Sequence, residues 1–224
     1  MSQYEIEIKG LLGKKKNVDD IVSKMESIDP NFKKISQNKQ LNHYFSGNNI
    51  VDLYENVEEI LSNEEAQEMR DIIEKGKNFS VRTRKKNEDT FLIIKASVDE
   101  GTSENTVSRL EFEKKINFSI DEIDNLILKS GYSYQAKWSR KRSEYVYKDM
   151  NVCIDKNAGY GYLIEFEKII NDKKNIANTK SKIRSSMKEL GIEELPQDRL
   201  ERMFDYYNKN WHQYYGTERT FTVK

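Results

Sequence analysis

The first segment of the chain alternates between polar and apolar residues. Within residues 4–9, Glu5, Glu7 and Lys9 occupy every second position, and the residues between them are apolar or aromatic. Successive side chains of a β-strand point to opposite faces of the sheet. The pattern therefore predicts a strand with one apolar face, suited to a core, and one charged face.

The same alternation returns along the chain, and each time one face carries charged residues of both signs. The predicted strands after the first cover residues 39–45, 79–84, 90–95, 109–113, 138–147, 152–155 and 163–167. The acids that share a face in this way are Glu5, Glu7, Glu111, Glu113, Asp155, Glu165 and Glu167. The bases are Lys9, Arg82, Arg84, Lys95, Arg109, Arg140 and Arg142.

Helical periodicity separates these strands. It predicts helices over about 18–28 with Asn17 as the cap, over about 51–75 with a break near Ser62, and over about 120–129 behind a capping box at Ser119. Two more helices follow, over about 176–190 and after Pro196. Strands and helices of this kind predict an α+β fold.

Composition narrows the class of protein. The chain has 224 residues with 38 basic and 38 acidic side chains, so its net charge is zero. A general nucleic-acid or membrane-surface binder would show a basic excess. No Pro/Gly/Ser-rich linker divides the chain, so we expect a single domain over residues 1–224, with a helical insertion at about 51–77 and C-terminal helices at about 173–209.

The supply of metal ligands is equally informative. Cys153 is the only cysteine, and His43 and His212 are the only histidines. A thiolate or imidazole metal site is therefore not expected, and any metal should be a hard cation held by oxygen atoms. We interpret Cys153 as a small buried residue and His43 as a packing or surface residue. No apolar signal or membrane-spanning run is present, which favours a cytoplasmic protein.

The charged faces allow two interpretations. In the first they are solvated and joined by salt bridges, as on many antiparallel sheets. In the second, eight antiparallel strands close into a barrel, and the charged faces line a tunnel flanked by helices. We favour the tunnel because carboxylate pairs two residues apart occur three times. Clustered carboxylates bind Mg²⁺ or Mn²⁺, and Arg and Lys side chains bind the oxygens of a phosphate chain.

The ordered motifs resemble the CYTH family, also called triphosphate tunnel metalloenzymes, which includes thiamine triphosphatases, inorganic triphosphatases and class IV adenylate cyclases. The opening Glu5-x-Glu7-x-Lys9 is similar to the family's first strand. The further matching elements are Arg82-x-Arg84, Lys95, Arg109-x-Glu111-x-Glu113, Arg140-x-Arg142-x-x-Tyr145, and Asp155 followed by Gly159, Gly161, Glu165 and Glu167.

The resemblance implies a role for each of these residues. Glu5, Glu7 and Glu165 would hold a divalent metal, and Glu111, Asp155 and Glu167 would hold a second metal or position the attacking water. The residues implied to bind the triphosphate are Lys9, Arg82, Arg84, Lys95, Arg109, Arg140 and Arg142. Catalytic roles would fall to Glu111, Asp155, Glu167 and Lys9.

The implied function is a Mg²⁺- or Mn²⁺-dependent triphosphatase acting on inorganic tripolyphosphate, thiamine triphosphate or a nucleoside triphosphate. One alternative is a class IV adenylate cyclase, which converts ATP to cyclic AMP and pyrophosphate. Another is an RNA 5′-triphosphatase, which would need an RNA path over Lys85, Lys86, Lys137 and Lys141. A phosphate-binding module without turnover is also open. The expected partner is a small triphosphate rather than a membrane, with nucleic acid only as a 5′-triphosphate end; a homodimer is left open.

Overall fold

A computed structural model describes residues 4–97 and 109–223, apart from the side chains of Tyr4, Glu5, Arg109 and Lys173. The strands are β1 Tyr4–Gly13, β2 Lys33–Ser46, β3 Lys77–Lys86, β4 Asp89–Ser97, β5 Arg109–Ile116, β6 Ser133–Tyr147, β7 Met150–Asn157 and β8 Gly161–Ile170. The helices are α1 Lys15–Ile28, α2 Ile50–Val57, α3 Asn63–Lys75, α4 Ile120–Lys129, α5 Ile176–Leu190 and α6 Gln197–Asn210. Short 3₁₀ turns cover Glu58–Ile60, Lys173–Asn175 and Trp211–Gln213.

The strands form an eight-stranded sheet in the order β1-β8-β7-β6-β2-β3-β4-β5. The pairings β1–β8, β8–β7, β7–β6, β2–β3, β3–β4 and β4–β5 are antiparallel. The predicted α+β class, with antiparallel strands and flanking helices, is confirmed. Closure of the strands around a tunnel stays a prediction, as does the interpretation of the chain as one domain.

The chain divides into two compact units. Unit 1 combines residues up to 38 with those from 139 onward, and unit 2 covers residues 39–138. Unit 1 therefore contains β1, β7, β8, most of β6 and the helices α1, α5 and α6. Unit 2 contains β3, β4, β5, most of β2 and the helices α2, α3 and α4.

The core of unit 1 lies on the apolar face of its strands. Ile6 of β1, Phe166 of β8 and Val152 of β7 are fully buried against Met25 of α1 and Ile183 of α5. Every second strand residue is apolar, so one face of the sheet is removed from water while the other keeps its charges. This core is what fixes the orientation of the charged face of unit 1.

Unit 2 is built by the same rule with different helices. Leu92 and Ile94 of β4 and Phe112 of β5 are fully buried with Leu53 of α2 and Met69 of α3. The residues predicted as an insertion, 51–77, thus supply part of a core. The break near Ser62 is confirmed, because Ser62 caps α3 and forms a capping box with Glu65.

The predicted starts of α1 and β2 were wrong. Asn17 does not cap α1, because this helix already begins at Lys15. The side chain of Asn17 donates instead to the carbonyl of Leu12 at 2.7 Å. Gly13, between Leu12 and the helix, has a left-handed conformation (φ 69°). β2 begins at Lys33 rather than at residue 39. The first residues of this strand are mostly exposed, so the sequence shows no clear apolar alternation there.

The C-terminal segment docks on the β7–β8 turn within unit 1. The amide of Gly159 donates to the carbonyl of Arg219 at 2.8 Å, and the amide of Phe221 donates to the carbonyl of Gly159 at 2.8 Å. Gly159 has φ 89°, and a Cβ there would lie 2.7 Å from the Tyr207 ring. Sequence periodicity could not predict this contact. In the described ranges, no helix has both the length and the apolar character to cross a membrane.

Candidate functional site

The polar face of unit 1 is assembled by strand register. Glu7 of β1 lies opposite Glu167 of β8, and Lys9 lies opposite Glu165. Directly opposite residues in an antiparallel pair share a face. In the same way β7 places Asp155 opposite Arg142 of β6. The polar face therefore collects predicted site residues from all four strands of the unit.

A buried carboxylate joins the two arginines of β6. Asp155 is 1% exposed. Its carboxylate accepts from Arg140 Nη1 at 2.8 Å and from Arg142 Nε and Nη2 at 2.7 and 2.6 Å. Arg142 Nη2 also donates to Glu165 at 2.5 Å. Burial alone would raise the pKa of Asp155, but the two guanidinium groups outweigh it and hold the pKa below 3.8.

The remaining charges of this face surround Glu165. Lys9 pairs with Glu7 and lies 3.7 Å from Glu165 Oε1. Asn151 donates to Glu167 at 2.8 Å. Among the side chains that the structure describes, the predicted metal and phosphate ligands of unit 1 therefore lie together in an ion-paired cluster.

Cys153 lies in the same cluster, which the sequence did not predict. One ligand atom each from Cys153, Glu165 and Glu167 lies within 4.8 Å of the others. Burial, the largest cause, and the neighbouring carboxylates raise the pKa of the thiol to about 12. The thiol is thus protonated at neutral pH, and the oxygens of Glu165 and Glu167 are the ligands suited to a hard cation.

The polar face of unit 2 carries the arginines of β3. Arg82 donates to the hydroxyl of Tyr44 at 2.8 Å, and its guanidinium carbon lies 5.2 Å from the centre of the Tyr44 ring. Arg84 Nε donates to Asn42 at 3.0 Å, and its Nη1 donates to Glu113 at 2.7 Å. Burial lowers the pKa of Arg82, but Tyr44 and the nearby carboxylates raise it by more than burial lowers it, so Arg82 stays charged.

A cavity of about 360 Å³ opens beside Arg82 in unit 2. Tyr44, Ser80 and Lys95 contribute to its wall. Lys95 also pairs with Glu111 at 3.0 Å. Arg82 and Lys95 therefore present cationic groups to a space large enough for a small anion. Tyr44, Asn42 and Ser80 were not predicted as site residues, because their role follows from register rather than from charge.

The family model of the CYTH domain matches residues 3–199 of the sequence. The chain belongs to the CYTH family. A search of the curated proteins found no match.

Solved structures share the fold of this CYTH chain. The PH1819 protein from Pyrococcus horikoshii OT3 is 22% identical with a TM-score of 0.56, and the match covers 87% of this chain and 94% of that one. A candidate adenylate cyclase from Vibrio parahaemolyticus is 12% identical with a TM-score of 0.58, over 88% and 95% of the two chains. HpAC1 from Hippeastrum, named as a candidate adenylyl cyclase with a dominant triphosphatase activity, is 15% identical with a TM-score of 0.51, over 88% and 95%.

The structure brings the predicted residues together within each unit. Glu7, Lys9, Arg140, Arg142, Asp155, Glu165 and Glu167 share the polar face of unit 1, and Arg82, Arg84, Lys95 and Glu111 share that of unit 2. Glu5 and Arg109 lie in β1 and β5, but their side chains fall outside the described part of the chain. The roles of all these residues stay predictions.

The two polar faces of the CYTH chain differ in charge. Among the acids and bases predicted to share these faces, and whose side chains are described, unit 1 has four carboxylates, of Glu7, Asp155, Glu165 and Glu167, against the three cations Lys9, Arg140 and Arg142. Unit 2 has the three cations Arg82, Arg84 and Lys95, against the two carboxylates of Glu111 and Glu113. Among these residues the face of unit 1 thus has one more acid than bases (the acidic face), and the face of unit 2 has one more base than acids (the basic face).

Proposed function

We propose that the protein is a divalent-metal-dependent phosphohydrolase that acts on a linear triphosphate. The observation that carries the proposal is the basic cavity of unit 2, where Arg82 and Lys95 line a space of about 360 Å³. Membership of the CYTH family supports the same class of chemistry. Inorganic tripolyphosphate, thiamine triphosphate and nucleoside triphosphates all present the phosphate chain that such a cavity suits.

The basic face of unit 2 would bind phosphate oxygens. A guanidinium group can donate two parallel hydrogen bonds to a phosphate, and an ammonium group adds a point charge. Arg82, Arg84 and Lys95 lie on neighbouring strands, with Ser80 opposite Lys95 in the β3–β4 register. These groups would neutralise the charge that spreads over a phosphoryl group during transfer.

The acidic face of unit 1 would hold the metal. Glu7 and Glu165, together with Glu5, provide the oxygen atoms that Mg²⁺ or Mn²⁺ prefers. Glu167, which lies on the same face of unit 1, would add a further carboxylate. The metal would supply Lewis-acid stabilisation of phosphate charge. The thiol of Cys153 is a softer ligand than the carboxylates, but it is protonated at neutral pH. The carboxylates therefore decide the kind of metal, and we expect a hard divalent cation.

In unit 1, Glu167 would accept a proton and Lys9 would stabilise negative charge during hydrolysis. We assign the carboxylate of Glu167, which accepts a hydrogen bond from Asn151 at 2.8 Å, as the group that orients the attacking water and accepts its proton. Lys9 would stabilise the departing phosphate. Asp155 accepts three hydrogen bonds from Arg140 and Arg142. We therefore expect Asp155 to act mainly by holding these arginines in place.

The direct test is phosphate release from tripolyphosphate with Mg²⁺ or Mn²⁺, in the wild-type protein and in Glu7→Gln. We expect Glu7→Gln to reduce the rate at least about a hundredfold, because it removes a charged metal ligand. Glu218→Gln is a suitable control, since Glu218 is an acid of unit 1 that pairs with Lys141 and Lys156 away from the strand carboxylates. Full activity in Glu7→Gln would remove the metal role.

A substrate panel separates the alternative reactions. With ATP, a triphosphatase yields ADP and phosphate, whereas a class IV adenylate cyclase yields cyclic AMP and pyrophosphate. HpAC1 is named as a candidate adenylyl cyclase with a dominant triphosphatase activity, so product identification is essential. Three of the four lysines required for an RNA path face an acid: Lys85 faces Glu88, Lys137 faces Asp124 and Lys141 faces Glu218. This pairing favours a small substrate over triphosphorylated RNA.

A further inference from the structure

A buried polar cluster in unit 2 lies on the covered face of the sheet, away from the predicted site. At its centre is Asp124 of α4, which is 1% exposed. Its Oδ1 accepts from Thr83 Oγ1 at 2.7 Å, and its Oδ2 accepts from the Tyr134 hydroxyl at 2.7 Å. His43 Nδ1 lies 2.6 Å from Oδ2. One carboxylate therefore joins α4 to β2, β3 and β6.

The charge state of this cluster follows from its contacts. Burial alone would raise the pKa of Asp124, but the hydrogen bonds from His43, Tyr134 and Thr83 outweigh it and lower the pKa below 3.8. Since the ionised carboxylate cannot donate, His43 Nδ1 must carry the proton in their short contact. Lys137, 3.9 Å from Oδ2, adds a positive charge. Asp124 is thus held as a buried anion.

Register connects this cluster to the opposite face of the sheet. His43 and Thr83 are directly opposite each other in β2 and β3. The pairs on either side are Tyr44 opposite Arg82 and Asn42 opposite Arg84, and both pairs are hydrogen-bonded on the polar face. Asp124 therefore contacts both residues of the His43–Thr83 pair, which lies between the two pairs that contain arginine.

We propose that Asp124 is a positioning residue for Arg82 and Arg84. By bonding His43 and Thr83 from the covered face, it holds the β2–β3 register and the strand separation that direct both guanidinium groups into the polar face. Strand side chains alternate strictly, so a shift of the backbone at residue 83 displaces residues 82 and 84 as well. This proposal rests on the proposed function, because the arginines are assigned there as the ligands of the phosphate chain.

The packing of α4 indicates why a carboxylate occupies this position. Ile120, Ile123 and Ile127 already anchor the helix in the apolar core. A buried charge is weak evidence for stability, since an apolar residue of similar size often serves packing as well or better. The carboxylate adds directional hydrogen bonds that an apolar side chain cannot make, because its two oxygens accept from residues of three strands. The role expected of Asp124 is therefore geometric.

The test compares Thr83→Val with Thr90→Val. Thr83→Val keeps the shape of the side chain and removes one donor to Asp124. Thr90 is also a buried threonine on the covered face of β4. In the described part of the chain the hydrogen-bond donors to Asp124 are His43, Thr83 and Tyr134, so Thr90 is not one of them. We expect Thr83→Val to raise the dissociation constant for tripolyphosphate about tenfold and to raise KM similarly, with kcat within about threefold. Thr90→Val should leave the dissociation constant unchanged.

Asp124→Asn should show the same separation with a larger increase in the dissociation constant, provided its circular dichroism spectrum remains that of the wild type. Equal dissociation constants for Thr83→Val, Thr90→Val and the wild type would overturn the proposal. Since a purely structural role lowers the unfolding temperature without changing affinity in the folded protein, the thermal unfolding of every variant is measured in parallel.

A second readout keeps the proposal independent of turnover. The Nε–Hε resonances of Arg82 and Arg84 in a ¹⁵N–¹H spectrum, assigned with Arg82→Lys and Arg84→Lys, should shift in Thr83→Val and stay in place in Thr90→Val. If the wild type binds tripolyphosphate without hydrolysing it, the proposed function fails while the affinity comparison still tests Asp124. If it does not bind at all, the arginine resonances decide, and unshifted resonances in Thr83→Val would refute the positioning role.

Discussion

The arginines of the two units are held in different ways. In unit 1, Arg142 is 13% exposed in its side chain and bonds to Asp155 and Glu165, two buried carboxylates. In unit 2, Arg82 bonds to the neutral hydroxyl of Tyr44 and lines a cavity. A charge already compensated by buried anions contributes to the fold, whereas a charge bonded to a neutral group is better suited to an incoming anion. The Arg-x-Arg motifs of β3 and β6 are thus similar in sequence, but Arg142 mainly stabilises the fold and Arg82 is suited to bind an anion.

The largest expected effect concerns stability, and it compares Arg142→Ala with Arg82→Ala. Removing Arg142 takes away two hydrogen bonds from Asp155 and one from Glu165. Leaving buried carboxylates poorly paired should cost about 3 kcal/mol in the free energy of unfolding. Arg82→Ala loses a bond to a neutral group and should cost about 1 kcal/mol. Urea denaturation measures both values, and equal losses would contradict the comparison.

The next effect concerns ligand affinity in the absence of metal. Arg82→Ala should weaken tripolyphosphate binding by about 2 kcal/mol, roughly thirtyfold, because a charged hydrogen-bond donor is lost from the cavity. Isothermal titration calorimetry in the presence of EDTA measures the dissociation constant. Lys85→Ala is the control, since Lys85 lies on the other side of β3 and pairs with Glu88 at 3.5 Å. An unchanged affinity in Arg82→Ala would show that unit 2 does not bind the phosphates.

A third effect is the response of unit 1 to acid. The pKa of Asp155 is lower in the folded protein than its ordinary value of 3.8. Its contribution to stability is therefore present above pH 3.8 and is lost as the pH falls through the lowered pKa of the folded state.

Asp155→Asn provides the measurement for this acid response. The difference in unfolding free energy between wild type and Asp155→Asn should shrink as the pH is reduced from about 6 to about 3, because the carboxylate of the unfolded chain binds a proton at a higher pH than that of the folded protein. Urea denaturation at several pH values gives this difference. A difference that stays constant over the range would show that the ionised form of Asp155 does not stabilise unit 1.

The smallest effect is expected at an exposed ion pair of unit 1. Glu218, whose side chain is 62% exposed, pairs with Lys141 at 3.3 Å and with Lys156. Solvent screens such pairs, so Glu218→Gln should change the unfolding free energy by about 0.5 kcal/mol or less. Thermal unfolding at low and high salt measures it. A loss as large as that of Arg142→Ala would show that burial does not explain the difference between the two arginine environments.

Much of the site was predictable because strand periodicity is local. The alternation around Glu7 and Lys9, and around Glu165 and Glu167, places these residues on one face whatever the rest of the chain does. The capping box at Ser119 likewise identifies the start of α4 from four residues. Neutral partners such as Tyr44 and Asn42 were missed, since they carry no charge pattern and become relevant only through their cross-strand neighbours.

By itself, the sequence determined the α+β class, the charged faces of the strands and the membership of the CYTH family, because period-two alternation and ordered motifs are properties of neighbouring residues. Only the tertiary structure decided which charges compensate one another. Asp124 meets His43 across 81 positions of the chain, and Arg142 meets Glu165 across 23. Such contacts depend on strand register and helix packing, and the free energy of a buried charge is set by the partners that these bring within hydrogen-bonding distance.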